Sequence, residues 1–255
     1  MNLLQGHRAA VTGGGSGIGR AIALGYAEQG AEAVVIDIDG TAAGAARDEI
    51  ADAGHAAHAV TLDVRDRAAC VEAAKEIEGS IGPISILVNN AGINRRNPVT
   101  GDAETVAGDW DDIMRVNLDG VFNVTRAFLD QLRASKGRVV NIGSIQSFVH
   151  VRTPNSIAYT TSKHGVLGFT RALAAELGRD GVRVNAVGPG LIETPLNAAA
   201  RARNPELVQL FLDHTPLGRT GKPEDIVGPA IFLASDLAGY VTGGIVMADG
   251  GYRAI

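Results

Sequence analysis

The chain contains few of the residues that build metal, disulfide or nucleic-acid sites. Its single cysteine, Cys70, excludes an internal disulfide and a metal cluster built on thiols, and its six histidines show no ligand spacing. Only 4% of the residues are aromatic and the net charge is −5, which argues against a basic surface for nucleic acid. Neither a signal peptide nor a long apolar run is visible, so we expect a cytoplasmic protein without a membrane segment.

Apolar strand-like runs alternate with helical ones along the chain, which predicts a parallel sheet. The length of 255 residues suits one α/β domain, and no linker or repeat divides it. We therefore predict a single-domain, doubly wound (Rossmann) α/β fold over residues 1–255, with seven parallel strands and helices on both faces. The predicted strands are 8–12, 33–37, 56–60, 85–88, 137–142, 182–187 and 244–247. The predicted helices are 17–29, 41–53, 66–79, 105–134, 157–179 and 223–235.

A glycine-rich run, Gly13–Gly19, follows the first predicted strand and precedes a helix. This order is the context of a phosphate-binding loop, because glycines allow a close backbone approach and the helix N-terminus offers unpaired N–H groups. The spacing is Thr-Gly-x-x-x-Gly-x-Gly from Thr12, and not G-x-G-x-x-G. An ordinary glycine-rich turn is the alternative interpretation.

The second predicted strand ends in an acidic residue, Asp37, about 20 residues beyond the glycines, where a ribose diol is bound in dinucleotide sites. A carboxylate there accepts hydrogen bonds from the diol and repels a 2′-phosphate by about 4 kcal/mol at 4 Å and an effective dielectric constant of 20. No Lys or Arg stands beside Asp37 or between Gly13 and Gly17. The sequence therefore predicts NAD rather than NADP, with a strand-end turn residue as the alternative.

Tyr159 and Lys163 stand four residues apart and share one face if the segment is helical. A nearby positive charge lowers the pKa of a phenol. Lowering that pKa from about 10 to about 7, where the tyrosine becomes a useful base, takes about 4 kcal/mol. Many surface helices carry this pair, so its meaning depends on the other motifs.

Taken in order, the motifs resemble those of the classical short-chain dehydrogenase/reductase family over nearly the whole length. The matching positions are Thr12–Gly19, Asp63–Val64, Asn89–Gly92, Asn117, Ser144, Tyr159, Lys163, Pro189–Gly190 and Asp249–Gly251.

The resemblance implies an oxidoreductase in which four residues are catalytic. Tyr159 is the general acid/base, Ser144 holds the substrate oxygen, Lys163 contacts the nicotinamide ribose and lowers the tyrosine pKa, and Asn117 anchors a water for a proton relay. The hydride passes directly between the substrate carbon and the cofactor. The cofactor-binding residues implied are Gly13, Ser16, Gly17, Ile18, Gly19, Asp37, Ile38, Asp63, Val64, Asn90, Ala91, Gly92, Tyr159, Lys163, Pro189, Gly190, Ile192 and Thr194.

One interval departs from the family pattern. Ser144 and Tyr159 lie 15 positions apart, two more than is usual in the family. Ser147 could therefore take the role of the serine. We prefer Ser144, because it ends the strand-like run that begins at Val139.

Polar residues near the expected crevice suggest a polyhydroxylated substrate. Arg95 and Arg96 follow the fourth strand and could clamp a carboxylate, sulfonate or phosphate, or instead face solvent or a neighbouring subunit. The motif Asn-Asn-Ala-Gly-Ile-x-Arg-Arg resembles that of the gluconate and 2-keto-3-deoxygluconate dehydrogenase branch of the family. Glu193 is a further candidate for binding sugar hydroxyls, or begins a helix. The predicted substrate residues are Asn94, Arg95, Arg96, Ser144, Gln146, His150, Arg152, Asn155 and Tyr159.

The segment from about 190 to 216 lacks strand character, and we predict a helical lid over the substrate. The main functional hypothesis is an NAD-dependent dehydrogenase of a sugar, sugar acid or polyol. The alternatives are a carbonyl or 3-ketoacyl reductase, and a non-catalytic binding member, which would be expected to lack Tyr159, Lys163 or Ser144. A serine hydrolase is disfavoured because no G-x-S-x-G motif occurs. The family resemblance also implies a homotetramer.

Overall fold

The computed structural model describes residues 2–151 and 157–255. Seven strands form one all-parallel sheet in the order β3-β2-β1-β4-β5-β6-β7, which confirms the predicted fold class. The strands are β1 (Arg8–Thr12), β2 (Glu32–Asp37), β3 (Ala57–Thr61), β4 (Ile86–Asn89), β5 (Arg138–Ile142), β6 (Arg183–Pro189) and β7 (Ile245–Ala248).

Helices cover both faces of this sheet. The α-helices described are α1 (Gly17–Glu28), α2 (Gly40–Asp52), α3 (Arg67–Ile81), α4 (Ala103–Met114), α5 (Gly120–Ala127), α6 (Leu129–Ala134), α7 (Ile157–Leu177), α8 (Pro195–Arg203), α9 (Pro205–Asp213) and α10 (Glu224–Ala234). Single 3₁₀ turns lie at Ile145–Ser147, Gly178–Asp180 and Asp236–Ala238. None of the helices in the described ranges is long and apolar enough to cross a membrane.

The central strands are buried on both faces, which explains why they are nearly continuous apolar runs. Side chains of α1, α2 and α10 pack on one face of the sheet, and those of α3, α5, α6 and α7 pack on the other. On the first face Gly25 lets α1 approach α10 closely, because a Cβ there would lie 2.3 Å from a methyl group of Val227. The two layers of helices hold the sheet rigid beneath its C-terminal edge.

A network of buried amides and hydroxyls ties the centre of the sheet to two helices. The Asn89 side chain donates to Thr125 Oγ1 and to Asn141 Oδ1, both at 2.9 Å. Asn141 in turn donates to Thr170 Oγ1 at 2.9 Å. Because buried polar groups need partners, this network fixes how β4, β5, α5 and α7 sit relative to one another.

The sequence-based prediction of one helix over residues 105–134 is wrong. A π-helical turn at Arg115–Asp119 separates α4 from α5, and Gly120 N donates to Arg115 O, five residues back. The chain bends again at Phe128, between α5 and α6. A π turn inserts one extra residue into the helical repeat, which the apolar pattern alone does not reveal, and such turns often lie at functional sites.

Strand order reverses between the neighbouring strands β1 and β4. From β1 the strands β2 and β3 follow toward one edge of the sheet, and from β4 the strands β5, β6 and β7 follow toward the other. In an open parallel sheet the ligand crevice lies at the carboxyl ends of the strands at this switch point. The segments that follow β1, β4, β5 and β6 meet at that edge of the sheet.

Candidate active site

A buried threonine joins the loops that follow β1 and β4. Thr12 Oγ1 donates to Val88 O at 3.2 Å and accepts from the backbone N–H groups of Asn90 and Ala91, at 3.0 and 3.1 Å. The Asn90 side chain returns two hydrogen bonds, to Thr12 O and Gly13 O. These bonds fix the start of the glycine loop against the segment that follows β4.

The glycine loop fits a pyrophosphate. Gly13 has φ +61° and Gly17 has φ +53°, in the left-handed region that favours glycine. A Cβ at Gly13 would lie 2.8 Å from Asn90 Nδ2, so a larger residue would displace the tie between the loops. The N-cap residue of α1, Ser16, makes no side-chain cap hydrogen bond, and the first turn carries no acidic residue. The helix therefore directs unsatisfied N–H groups and its positive end toward the crevice.

Asp37 lies at the end of β2 with its carboxylate held by the backbone. Its two oxygens accept from Gly15 N and Asp39 N, at 2.9 and 3.0 Å. The carboxylate thus links the glycine loop to the β2–α2 turn while lining the same crevice. A ribose diol placed over the loop would meet this acceptor.

The segment after β3 contributes an ion pair to the crevice. The Arg65 guanidinium forms a two-pronged salt bridge to the Asp63 carboxylate, with contacts of 2.6 to 3.0 Å. The hydrogen bonds from Arg65 lower the pKa of Asp63. The sequence analysis did not identify Arg65 as a crevice residue; its position two residues after Asp63 was the available signal.

Two contiguous cavities hold nearly all the predicted cofactor residues. The larger, of about 390 Å³, lies over the glycine loop, and the smaller, of about 120 Å³, lies beside Tyr159 and Lys163. Of the eighteen predicted cofactor residues only Gly19 lines neither; it packs against Gly13 instead. Residues of the larger cavity that the sequence analysis did not select are Ile36, Leu62, Arg65, Ile93, Asp112, Val116, Pro195 and Leu196. The two cavities share Ile18, Asn90, Gly92, Thr194 and Leu196.

Tyr159 and Ser144 meet at the smaller cavity. Both side chains line this cavity, with the Ser144 hydroxyl near enough to act on the pKa of the tyrosine, and Ser144 Oγ accepts from Gln146 N at 3.1 Å. Burial raises the pKa of Tyr159 above its ordinary value, while the Ser144 hydrogen bond and the positive charge of Arg96 oppose that rise. The tyrosine is thus held in its protonated, proton-donating form.

Ser147 occupies a different position from Ser144. Its hydroxyl accepts from Ser144 N at 3.2 Å, within the 3₁₀ turn that follows β5. Ser147 does not line the cavity beside Tyr159, whereas Ser144 does. The geometry therefore favours Ser144 as the serine that faces a substrate.

Lys163 is almost fully buried, at 5% exposure, and donates from Nζ to Ile142 O at 2.7 Å. Its Nζ lies 5.7 Å from the centre of the Tyr159 ring. Burial lowers the pKa of Lys163 to about 8. Burial raises the pKa of Tyr159, and the groups that oppose this rise are Ser144 and Arg96, so a role of Lys163 in lowering that pKa stays a prediction.

The π turn places Asn117 between the sheet and α7. Its amide exchanges two hydrogen bonds with the backbone of Ile93, at 2.8 and 2.9 Å, and donates to Ser162 Oγ at 3.3 Å. Ser162 Oγ donates to Tyr159 O at 2.8 Å. Asn117 thus connects the segment after β4 to the first turns of α7, next to the tyrosine.

The two adjacent arginines have different surroundings. Arg95 lines the larger cavity and has Asp109 as its ion partner, at 3.8 Å. Arg96 is exposed, forms no salt bridge within the described ranges, and acts electrostatically on Tyr159. Beside them, Asn94 Oδ1 is buried without a hydrogen-bond partner among the described residues, as expected of an acceptor that awaits a ligand or water. Arg95 thus faces the larger cavity, whereas Arg96 lines neither of the two cavities.

The remaining predicted substrate residues are only partly brought together. Gln146 Oε1 accepts from Thr160 Oγ1 at 2.7 Å, and His150 Nδ1 is 3.1 Å from the same hydroxyl. Glu193 accepts from Thr220 and lies 3.5 Å from Arg201, so it is held by protein groups. The predicted residues Arg152 and Asn155 lie outside the described residues.

A doubly wound sheet with a serine, a tyrosine and a lysine beside a glycine-lined crevice defines a dinucleotide-dependent oxidoreductase. The family model described as "Enoyl-(Acyl carrier protein) reductase" matches residues 13–253. The chain belongs to the short-chain dehydrogenase/reductase family. It is an oxidoreductase acting on CH–OH groups, and its family uses nicotinamide cofactors.

Individual relatives differ in the substrates that their names state. The chain is 44% identical to galactitol 2-dehydrogenase (L-tagatose-forming) of Cereibacter sphaeroides, over 98% of this chain and 96% of that protein. It is 38% identical to the 3-oxoacyl-[acyl-carrier-protein] reductase FabG of Aquifex aeolicus, over 97% and 98%. A solved gluconate 5-dehydrogenase of Burkholderia cenocepacia, in complex with NADP and tartrate, is 38% identical, with a TM-score of 0.93 over 100% of this chain and 98% of that chain.

The buried ammonium of Lys163 should be visible in the pH dependence of stability. The pKa of Lys163 in the folded protein, about 8, lies below its ordinary value of 10.5. Between these pH values the unfolded chain binds more protons than the folded protein, so the contribution of Lys163 to the free energy of unfolding rises with pH. Relative to Lys163→Met, the wild-type free energy of unfolding in urea should increase by about 1 kcal/mol from pH 7 to pH 9. The exposed Lys75→Met is the matched control and should run parallel to wild type. A parallel Lys163→Met curve would contradict the lowered pKa.

Proposed function

We propose that the protein is an NAD-dependent dehydrogenase that interconverts a secondary alcohol or hemiacetal and a carbonyl on a sugar, sugar acid or polyol. The observation that carries this proposal is the Tyr159–Ser144 pair beside Lys163, in a cavity that shares five lining residues with the dinucleotide crevice. When bound, the nicotinamide ring accepts or supplies the hydride, and its positive charge in the oxidised form favours the tyrosinate.

In this proposal, some residues of the site transfer the proton and others position the substrate and the cofactor. Tyr159 takes the hydroxyl proton during oxidation and returns it during reduction. Ser144 donates a hydrogen bond to the substrate oxygen and stabilises the charge that develops there. Lys163 would hold the nicotinamide ribose, and Asn117 would anchor a water that links the lysine to solvent. The Asn117 bonds to Ile93 and Ser162 support this positioning role.

The preference for NAD is proposed from the Asp37 carboxylate. Its oxygens lie at the crevice, and a 2′-phosphate would have to approach them. Arg65, a cation of the same crevice that could favour a phosphate, is engaged by Asp63. The similar gluconate 5-dehydrogenase is solved with NADP, so cofactor preference needs a direct measurement.

A hydroxylated substrate with an acidic group is supported by Arg96. Its guanidinium makes no salt bridge within the described ranges, and its charge reaches Tyr159. The similar dehydrogenase named for galactitol supports a polyhydroxylated substrate, and the one named for gluconate, in complex with tartrate, supports an acidic group as well. The likeness to a 3-oxoacyl reductase supports a carbonyl reductase as the second candidate.

The homotetramer and the cytoplasmic location also remain proposals from the family resemblance. Trp110 on α4 and Phe122 on α5 are exposed, at 38% and 44%, on helices expected to pack against another subunit. Apolar residues in such positions support an interface between copies.

The first experiment is NAD reduction with galactitol, sorbitol, glucose, gluconate and a sugar sulfonate, and NADH oxidation with a 3-oxoacyl thioester. Turnover of a polyol or sugar acid is expected. Tyr159→Phe should lower it at least about 100-fold while NADH binding, followed by fluorescence, is unchanged. Retained activity in this variant would refute the assigned base, and activity on the thioester alone would support the second candidate.

Cofactor choice should follow the charge of Asp37. Asp37→Asn removes the repulsion, so the ratio of kcat/KM for NADP to that for NAD should rise about 10- to 1000-fold. Asp39→Asn is a close control, because Asp39 instead caps α2 through Thr41 N and Ala42 N. If both variants shift the ratio equally, Asp37 does not contact the ribose.

Substitutions of Arg95 and Arg96 should have different effects on the KM for acidic substrates. Arg96→Leu should raise KM for acidic substrates about tenfold, because a charge-assisted hydrogen bond contributes about 1.5 to 3 kcal/mol, while KM for neutral polyols stays constant. Arg95→Leu serves as the adjacent control and should show no preference for acids. An equal effect of Arg96→Leu on neutral substrates would exclude an anion contact.

A further inference from the structure

Three segments enclose a third cavity, of about 460 Å³, away from the dinucleotide crevice. They are the segment after β5 (residues 144–151, the serine loop), the helix α9, and the segment 249–255 that follows β7. The size falls in the range of small-molecule sites. The lining residues are Val149, His150, Leu210, Phe211, His214, Tyr252, Arg253 and Ile255.

Segment 249–255 contacts α9 through an aromatic ring. The Tyr252 ring lies 5.3 Å from that of Phe211 and 4.7 Å, edge-on, from that of His214. Just before it, Gly251 has φ +87°, and a Cβ there would lie 3.0 Å from Pro216. The segment is therefore packed against the C-terminal end of α9 and the turn that follows it.

The same segment contacts the serine loop through the next residue. The Arg253 guanidinium lies over the Phe148 ring, 3.6 Å from its centre, within the distance for a cation–π interaction. Arg253 N donates to Asp249 Oδ2 at 3.2 Å, which holds the segment in a turn. Phe148 directly follows the 3₁₀ turn that begins after Ser144.

The helix α9 depends on such contacts for its position, because none of its residues is buried. Elements with few buried contacts are those that open at low free-energy cost. Adjacent side chains of one short turn, Tyr252 and Arg253, thus touch a loosely held helix and the loop that carries the catalytic serine.

We propose that Tyr252 and Arg253 are positioning residues that couple α9 to the serine loop and so determine substrate affinity. Movement of α9 away from its present position changes the Tyr252 contacts, and through the turn at Asp249 it changes the Arg253 contact with Phe148. The larger cavity, over the glycine loop, lies on other elements, so we expect the affinity for NADH to be independent of this coupling. The catalytic consequence rests on the proposed function; the coupling itself does not.

Reciprocal effects distinguish coupling from the loss of one contact. Arg253→Leu removes a contact with the serine loop, and it should speed amide hydrogen exchange in α9 about two- to fivefold. Tyr252→Ala removes contacts with α9, and it should speed exchange in residues 145–150. Arg253→Lys and Tyr252→Phe, which keep the charge and the ring, should restore most of the protection. Exchange that changes only in the element each variant touches would overturn the coupling.

Kinetics test the consequence for substrate. In Arg253→Leu, KM for the substrate found above should rise about two- to fivefold, with kcat and NADH affinity unchanged. The exposed Arg179→Leu, before β6, is the matched control and should change neither KM nor exchange. Reciprocal exchange effects with an unchanged KM would overturn the role in substrate affinity. Reciprocal effects in a protein that turns over no sugar, sugar acid or polyol would reject the proposed substrates and retain the coupling.

Discussion

The hydrogen bonds of Thr12 are the constraint on which the site depends. One buried hydroxyl contacts the backbone at Val88, Asn90 and Ala91, at the point where the strand order reverses. The Asn90 amide closes the arrangement by binding the first residues of the glycine loop. These bonds hold the loops that follow β1 and β4 against each other. The phosphate-binding backbone therefore keeps a fixed distance from the catalytic edge of the sheet. The helices on both faces then supply the rigidity that such a separation requires.

Burial, more than pairing, governs the pKa values of Tyr159 and Lys163. It raises the pKa of Tyr159 and lowers that of Lys163, so both groups are held nearer their neutral forms. A tyrosine in this condition is suited to donate a proton. For Tyr159 to act as a base, additional positive charge is needed at the site. In the proposed oxidation the oxidised nicotinamide cofactor would bring this charge. In the proposed mechanism, protonation of the site would therefore be linked to cofactor binding.

Much of the fold and of the crevice could be predicted from the sequence. Continuous apolar strands and the glycine loop have distinct local signatures, and those signatures located β1 to β7 within a few residues. The π turn at Arg115–Asp119 could not be predicted, because its apolar pattern continues that of the helices on either side. The different surroundings of Arg95 and Arg96 depend on the path of their side chains through space, which residue spacing does not encode.

The polar network beneath the site is built only from amides and hydroxyls. Asn89, Asn141, Thr125 and Thr170 neither gain nor lose a proton between acid and alkaline conditions under which the protein would be studied. The scaffold that joins β4 and β5 to α5 and α7 therefore carries constant charge while the residues above it exchange protons. Acidity can tune the chemistry at the edge of the sheet without disturbing the architecture that supports it.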